Sequence, residues 1–169
     1  MCCLNPTSTE TILKKIFALT LLALASTSTY AYATDEDVVR SLYGEVFSKA
    51  GAPNLAEVGN KILAPNWQSF GDYKAKAKTR DELYAQFGGV SKIVPNLHVD
   101  VKEIIQNGNR YIVRGEMTGT PVADFFGVKP SGKSFDIMNI DIHTVENGQI
   151  ITTYHIEDWA SALQQLSQK

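Results

Sequence analysis

The chain has 169 residues, of which 16 are basic and 18 acidic, and its net charge is −2. A slightly acidic chain of mixed charges is a poor partner for nucleic acid or an anionic membrane, so we expect neither. Hydrophobic residues make up 44% of the chain, which is enough for one domain with its own core.

The first 33 residues are predicted to be a cleaved signal peptide. Lys14 and Lys15 precede an apolar run over 16–25, and Ala31-Tyr32-Ala33 matches the cleavage pattern of small residues. The apolar run is too short to span a bilayer. We therefore expect a signal peptide at 1–33, a domain at 34–169, a periplasmic or secreted location, and no membrane contact after cleavage.

Both cysteines, Cys2 and Cys3, precede the predicted cleavage site. No cysteine follows the apolar run, so we expect neither a lipid anchor nor a disulfide in the domain.

Three amphipathic helices are predicted to open the domain. The first starts after Thr34, the second after Asn54, and the third at a capping box formed by Thr79 and Glu82. Each start is followed by apolar residues at helical spacing, and the third helix is expected to end at Gly88.

From residue 97 onward the hydrophobic period changes to two. Leu97, Val99 and Val101 alternate with polar residues, and two later alternating runs flank Glu146-Asn147-Gly148. Helices followed by antiparallel strands predict an α+β fold, with three N-terminal helices packed on one face of a curved, mainly antiparallel sheet.

The last hairpin, residues 134–159, holds most of the residues that can do chemistry. Residues two apart share a face of a strand, so Tyr154, Ile156 and Asp158 lie in one row and His155 on the opposite face. A carboxyl group that closes an apolar row is desolvated, which raises its pKa towards neutrality. Asp158 is therefore the candidate acid/base residue.

The turn of this hairpin leaves two registers open. A three-residue loop ending at Gly148 places an apolar set on the Asp158 face: Met138, Ile140 and Ile142. A two-residue Asn147-Gly148 turn places a polar set there instead: Asn139, Asp141 and His143. We favour the first register because it collects apolar side chains on one side.

Two familiar motifs do not fit their usual context. Residues 127–134 match the phosphate-loop pattern GxxxxGK[ST], but an alternating strand follows where that motif needs a helix. The histidines His98, His143 and His155 lack the close spacing of metal ligands, so we expect no metal site and no cofactor.

The aromatic side chains of the domain are more simply explained as core residues than as a platform for a cofactor. A curved sheet with few covering helices nevertheless leaves a hollow at its mouth, which some of them would line. The binding residues expected there are Trp67, Phe125, Phe126, Met138, Ile140, Ile156 and His143.

Several short motifs follow one another in a specific order. They are Val94-Pro95-Asn96-Leu97, 108–114, 126–133, Ile140-Asp141-Ile142, 147–150 and 154–158. With them the chain resembles the SnoaL-like polyketide cyclases, also described as ester cyclases, of the nuclear transport factor 2 (NTF2-like) superfamily. The resemblance covers nearly all of residues 34–169.

This resemblance implies an NTF2-like cone, a homodimer, and metal-free, cofactor-free aldol ring closure. The acid/base aspartate of such cyclases ends the last strand, and the matching position is Asp158, while Tyr154 stands where a Trp is usual. The chain departs from the family at Gly119-Thr120-Pro121, where a histidine is common, and at Ser69-Phe70, which replaces an Asp-His pair.

Two classes of function remain open. The first is an enzyme for aldol cyclisation or isomerisation of a small hydrophobic carbonyl compound, in which Asp158 moves the proton and Tyr154 orients or donates. The second is non-catalytic: a carrier of a small hydrophobic ligand, or a dimeric interaction module. That module would use polar residues on the outer sheet face: Asp141, His143, His155 and Glu157.

Overall fold

The computed structural model describes residues 34–168. The predicted signal peptide and its cleavage site lie outside the described residues. No helix within 34–168 is long and apolar enough to cross a membrane.

The helices follow the capping signals of the sequence. Within the described part of the chain they are α1 (Asp35–Ser41), α2 (Leu55–Ile62), α3 (Arg80–Ile93) and α4 (Trp159–Ser167). The Thr34 side chain caps α1, and Thr79 and Glu82 form both hydrogen bonds of a capping box at the start of α3. These local hydrogen bonds supply partners that the first turn of a helix lacks.

A π-helical segment (Leu42–Phe47) continues α1 without a break. Its wider turn is seen where the Ser48 N–H donates to the Tyr43 carbonyl oxygen, five residues back, at 2.9 Å. Such segments are rare and often occur at functional sites. Here the segment carries Tyr43, whose side chain is buried.

Six strands form one sheet. They are β1 (Leu63–Phe70), β2 (Lys78–Thr79), β3 (His98–Asn107), β4 (Arg110–Gly119), β5 (Phe135–Glu146) and β6 (Gln149–Glu157). Their order is β2-β1-β6-β5-β4-β3, with β1 parallel to β6 and every other pair antiparallel. The predicted α+β layout with helices against a mainly antiparallel sheet is confirmed, with α4 as an additional helix.

Sequence patterns missed β1, β2 and α4, and placed the end of α3 too early. β1 pairs with β6 across the length of the domain, so no adjacent turn marks it as a strand. The third helix continues through Gly88 and Gly89 to Ile93 because both glycines are exposed and uncrowded. A helix tolerates such glycines at about 1 kcal/mol each.

The last hairpin combines features of the two predicted registers. Its turn is the two-residue one: Glu146 pairs with Gln149, and both Asn147 and Gly148 have positive φ. The favoured three-residue loop is therefore wrong. Thr144 then pairs with Thr152 and Val145 with Ile150, which leaves one extra residue, Ile151, as a β-bulge.

Because of this bulge, the side chains group as the favoured register predicted. The apolar set shares a face with Tyr154 and Ile156, and the polar set lies on the other. The orientation of the two faces is the reverse of our expectation, however. The polar residues point inward towards the helices and the apolar residues point outward.

The outward side carries what we call the outer apolar face. Its residues are Ile112, Met138, Ile140, Ile142, Tyr154 and Ile156. Ile156 is 67% exposed, Met138 54% and Tyr154 40%. The apolar row therefore does not enclose Asp158: it is largely exposed, and Ile140, Ile142, Tyr154 and Ile156 line a hollow on the outer surface that Asp158 does not line.

Asp158 lies beyond the end of β6, where it caps α4. Its Oδ1 accepts the Ser161 backbone N–H at 3.0 Å and its Oδ2 the Ser161 hydroxyl at 2.6 Å. These two hydrogen bonds lower the pKa of the exposed Asp158 carboxyl. The expected raised pKa is therefore wrong, because the strand ends one residue before the carboxyl and the helix start provides its donors.

Candidate functional site

A cavity of about 170 Å³ lies between the helices and the inner face of the sheet. Its apolar walls are Phe47, Trp67, Leu83, Phe87, Met117 and Trp159. Four ionisable residues also line it, namely Lys78, Asp141, His155 and Glu157. A hydrophobic hollow with a few converging polar groups is the usual form of a small-molecule site.

A second hollow, of about 250 Å³, lies on the outside of the sheet. It is lined mainly by the loop that follows β1 and by the outer apolar face. We place the candidate site in the smaller inner cavity, because the buried ionisable groups with displaced pKa values face it.

Asp141 is the centre of the inner site. Its side chain is 3% exposed, and Oδ2 accepts hydrogen bonds from the Tyr43 hydroxyl at 2.7 Å and the Asn139 amide at 2.6 Å. Burial nevertheless raises the pKa of Asp141 to about 6, and the negative charge of Glu157 acts in the same direction. Within residues 34–168 no hydrogen bond reaches Oδ1. This oxygen is therefore available to a ligand in the cavity.

Tyr43 and His143 support the carboxyl from behind. The Tyr43 hydroxyl lies 2.7 Å from His143 Nε2, and His143 Nδ1 lies 2.9 Å from the Thr153 hydroxyl. Burial lowers the pKa of His143 to about 3, so the imidazole is neutral. Burial and the nearby Asp141 raise the pKa of Tyr43 well above its ordinary value, so the phenol keeps its proton.

Asn139 owes its position to the glycine opposite it. Gly115 pairs with Asn139 across β4 and β5, and a Cβ atom at Gly115 would collide with Asn139 Oδ1. The amide can therefore lie flat against the neighbouring strand and direct its nitrogen to Asp141. Asn139 Oδ1 is itself buried without a hydrogen-bond partner in the described part of the chain.

His155 faces Asp141 across the β5–β6 pair and contacts Glu157, with Nδ1 2.9 Å from Oε1. This hydrogen bond raises the pKa of His155. The ring occupies the space where Gly71 lacks a side chain: a Cβ there would lie 2.7 Å from Nε2. His155 lies on the face opposite Tyr154 and Ile156, as strand parity predicted, and this polar face is the one that lines the inner cavity.

Lys78 on β2 adds a positive charge to the cavity wall. Partial burial lowers its pKa, while Glu157 and Glu82 act in the opposite direction. In residues 34–168 its ammonium forms neither a hydrogen bond nor an ion pair. Its charge is therefore available to an anionic group in the cavity.

The structure disperses the residues that the sequence predicted for the site. Trp67 lines the cavity, and His143 lies behind Tyr43. Phe125 is buried in an aromatic cluster with Phe135 and Trp159, and Phe126 is exposed beside it. The remaining predicted residues, Tyr154, Met138, Ile140 and Ile156, belong to the outer apolar face.

Sequence reasoning assigned no cavity role to four of the assembled residues: Tyr43, Lys78, Asp141 and His155. Asp141 and His155 were expected only as part of a possible dimer contact on the outer sheet face. The polar set of the alternative hairpin register, with Asn139 and Asp141, was the available signal for the inner face. No group of three His, Cys, Asp or Glu side chains in residues 34–168 is placed to hold a metal ion.

Replacing Asp141 by Asn should stabilise the protein in a pH-dependent way. The folded-state pKa is raised from 3.8 to about 6, so the contribution of this carboxyl to stability is fully present below pH 3.8 and is lost as pH rises through about 6. Asn cannot ionise and avoids a loss of about 3 kcal/mol. Urea unfolding should therefore show a stability gain for Asp141→Asn at about pH 7.5 that disappears near about pH 4. A gain of the same size at both pH values would contradict the raised pKa.

The family model described as SnoaL-like polyketide cyclase matches residues 38–166. Among curated proteins no match is found.

Solved structures share the fold at low sequence identity. A proposed SnoaL-like polyketide cyclase from Jannaschia sp. CCS1 has a TM-score of 0.68 at 21% identity, over 80% of this chain and 92% of that one. IdmH, a proposed polyketide cyclase from Streptomyces antibioticus, has a TM-score of 0.69 at 22% identity, and the match covers 80% of this chain and 99% of IdmH. TsrD from Streptomyces laurentii has a TM-score of 0.64 at 20% identity, and the match covers 79% of this chain and 98% of TsrD.

These likenesses establish the NTF2-like fold. The family match spans nearly all the described residues. The chain therefore belongs to the SnoaL-like polyketide cyclase family.

Proposed function

We propose that this protein catalyses cofactor-free proton transfer on a small carbonyl compound bound in the inner cavity, in a reaction of the aldol cyclisation or isomerisation type. The observation that carries the proposal is the state of Asp141. One carboxyl oxygen is held by two hydrogen bonds, the other is free for a ligand, and the pKa is about 6. A base with a pKa near the working pH is well suited to take and return a proton.

The proposed reaction uses Asp141 twice. Its Oδ1 removes a proton from the carbon next to a carbonyl group, which leaves an enolate. The enolate carbon then forms a bond to a second carbonyl carbon of the same molecule, and Asp141 returns its proton to the resulting alkoxide. In an isomerisation, the proton returns to a different carbon instead.

Two cationic groups support the enolate in this proposal. Lys78 lines the cavity, and the hydrogen bond to Glu157 favours the protonated form of His155. Positive charge near a developing oxyanion lowers the energy of the transition state, and the effect is larger where water is excluded.

The size of the cavity limits the substrate. Its volume of about 170 Å³ is below the 300–1,000 Å³ of typical ligand pockets, and an engineered cavity of about 150 Å³ holds benzene. We therefore propose a substrate of roughly one ring rather than a polycyclic polyketide.

The sequence predicted Asp158 as the acid/base residue and Tyr154 as its partner. The geometry supports Asp141 instead, because Asp158 is exposed with a lowered pKa and Tyr154 belongs to the outer apolar face. The polar cavity groups that the family provides elsewhere are supplied here by Asp141, His155 and Lys78, which supports an enzyme over a carrier.

Deuterium exchange at carbon gives a direct test that needs no knowledge of the natural substrate. Small cyclic ketones and 1,3-diketones are incubated with the protein in D₂O, and loss of the α-proton signal is followed by NMR. We expect exchange that accelerates as pH rises through about 6 and falls at least about 100-fold in Asp141→Asn. Asp136→Asn, an exposed aspartate on the same strand, is the matched control and should retain the wild-type rate.

Asp158→Asn distinguishes the two candidate acids. Exchange lost in this variant and retained in Asp141→Asn would support the assignment made from the sequence and contradict ours. Ligand binding without exchange in any compound would contradict the enzyme. It would support the alternative, a carrier of small hydrophobic molecules, for which the apolar cavity walls are the favourable observation.

We also propose that the protein is a homodimer formed through the outer apolar face. Contiguous exposed apolar surface of this kind usually marks an interface, and Phe70 extends it by stacking on Tyr154 with ring centroids 5.1 Å apart.

A buried lysine without a partner is strongly unfavourable, so Ile156→Lys should give a monomer in analytical ultracentrifugation. Val122→Lys, at an exposed apolar position in the β4–β5 loop, is the control. A dimer that persists in Ile156→Lys, or a monomeric wild type, would contradict this interface.

Secretion remains a proposal from the sequence of residues 1–33. N-terminal sequencing of the protein from its host should begin at Thr34. A sequence that begins at Met1 would contradict signal cleavage.

A further inference from the structure

Behind Asp141 a chain of buried hydrogen bonds crosses the inner face of the sheet. It runs from the Trp67 indole nitrogen to the Thr153 hydroxyl (3.0 Å), then to His143 Nδ1 (2.9 Å). From His143 Nε2 it continues to the Tyr43 hydroxyl (2.7 Å) and on to Asp141 Oδ2 (2.7 Å). Three of these groups, the two hydroxyls and the imidazole, can each donate or accept. While Asp141 is ionised its oxygens can only accept, so Tyr43 must donate to it. Once Asp141 is protonated the reverse direction, with the proton on Oδ2, is also possible, and the direction of the hydrogen bonds needs a further cause.

One end of the chain is fixed by chemistry. The indole N–H of Trp67 can only donate, so Thr153 must use one of its lone pairs to accept it. The Thr153 proton then has one acceptor among residues 34–168, which is His143 Nδ1. If Nδ1 carried a proton instead, the Thr153 hydroxyl would receive two donors and its own proton would have no protein acceptor. Buried donors without a partner are costly.

The donor direction set at Thr153 fixes the donor direction of each following hydrogen bond up to Asp141. A neutral imidazole that accepts at Nδ1 carries its proton on Nε2, so His143 donates to the Tyr43 oxygen. Tyr43 then has its own proton left to donate to Asp141 Oδ2. At this oxygen it meets the Asn139 amide, which also donates. Oδ2 is thus occupied by two donors, and a proton taken up by Asp141 goes to Oδ1.

We propose that Thr153 is a positioning residue of the site: held by Trp67, it sets the tautomer of His143 and the donor direction of Tyr43, and thereby confines proton exchange at Asp141 to Oδ1. This inference rests on the proposed function only in taking Asp141 as the acid/base group. The hydrogen-bond direction itself does not depend on any activity.

Other titratable groups face Asp141 from the neighbouring strands. They are His155 and Glu157 on β6 and Lys78 on β2, on the cavity side of the carboxyl. Within the described residues none of them forms a hydrogen bond to Thr153, His143 or Tyr43, but the charges of His155 and Glu157 act on Asp141 and are the same in the wild type and in Thr153 variants. Changes at Thr153 leave these groups in place and therefore isolate the contribution of the chain.

The first test needs only the wild-type protein. With ¹⁵N-labelled histidine, the protonated and unprotonated ring nitrogens have distinct NMR shifts, and His143 is assigned by its loss in His143→Gln. Below about pH 6, where Asp141 is protonated and His143 is still neutral, we expect His143 to keep its proton on Nε2. A proton on Nδ1 in the wild type would overturn the proposal.

The second test changes Thr153. Thr153→Val keeps the shape and removes the hydroxyl, so the Nε2-protonated form of His143 loses the hydrogen bond at Nδ1 that favours it. The preference for this tautomer is then weaker, and we expect a rise in the pKa of Asp141, followed by ¹³C NMR, of less than about one pH unit. Thr153→Ser restores the hydroxyl and should restore both the tautomer and the pKa, which a merely space-filling role of Thr153 would not require.

The outcomes separate the two proposals. An unchanged tautomer and an unchanged Asp141 pKa in Thr153→Val would overturn the role of Thr153, whatever the activity of Asp141. The predicted tautomer together with normal carbon exchange in Asp141→Asn would support the role of Thr153 in the chain and contradict the catalytic role of Asp141.

Discussion

The burial of one ionisable carboxyl group organises the inner face of this domain. Moving Asp141 out of water disfavours its charged form, and two hydrogen bonds offset part of that penalty. Each of these hydrogen bonds requires a feature elsewhere. Tyr43 reaches the carboxyl from a π-helical segment, and Asn139 fits because Gly115 has no side chain. A destabilising group held in this way is typical of functional sites, where stability and activity conflict.

The sheet separates the two surfaces on which the proposed function depends. Along β5, alternate residues point to opposite sides, so Asn139, Asp141 and His143 face the helices while Met138 and Ile140 face outward. The inner side holds a small cavity with charged groups, and the outer side an apolar surface suited to a second copy. One strand therefore contributes to both catalysis and assembly in our proposal.

The positions at which this sequence departs from the family pattern affect which polar side chains line the inner cavity. Ser69, at the position where the resemblance implies part of an Asp-His pair, lines the inner cavity together with Trp67 and Phe87. The polar groups are supplied from β5 and β6 instead. The family membership defines the scaffold, whereas the size and charge of the cavity, which belong to this chain, define what fits it.

Short-range signals in the sequence determined the helix starts at Thr34 and Thr79, the alternating strands and the position of a turn before Gln149, because the hydrogen bonds and dihedral angles involved span only a few residues. They left the length of that turn open, and the two-residue form was not the one we favoured. Parity also identified which hairpin residues share a face. Which face turns inward was decided by the tertiary structure: the bulge at Ile151 shifts the pairing, and the packing of helices distant in sequence selects the buried side. The pairing of Tyr43 with Asp141 joins residues 98 positions apart, and no local pattern encodes such a contact.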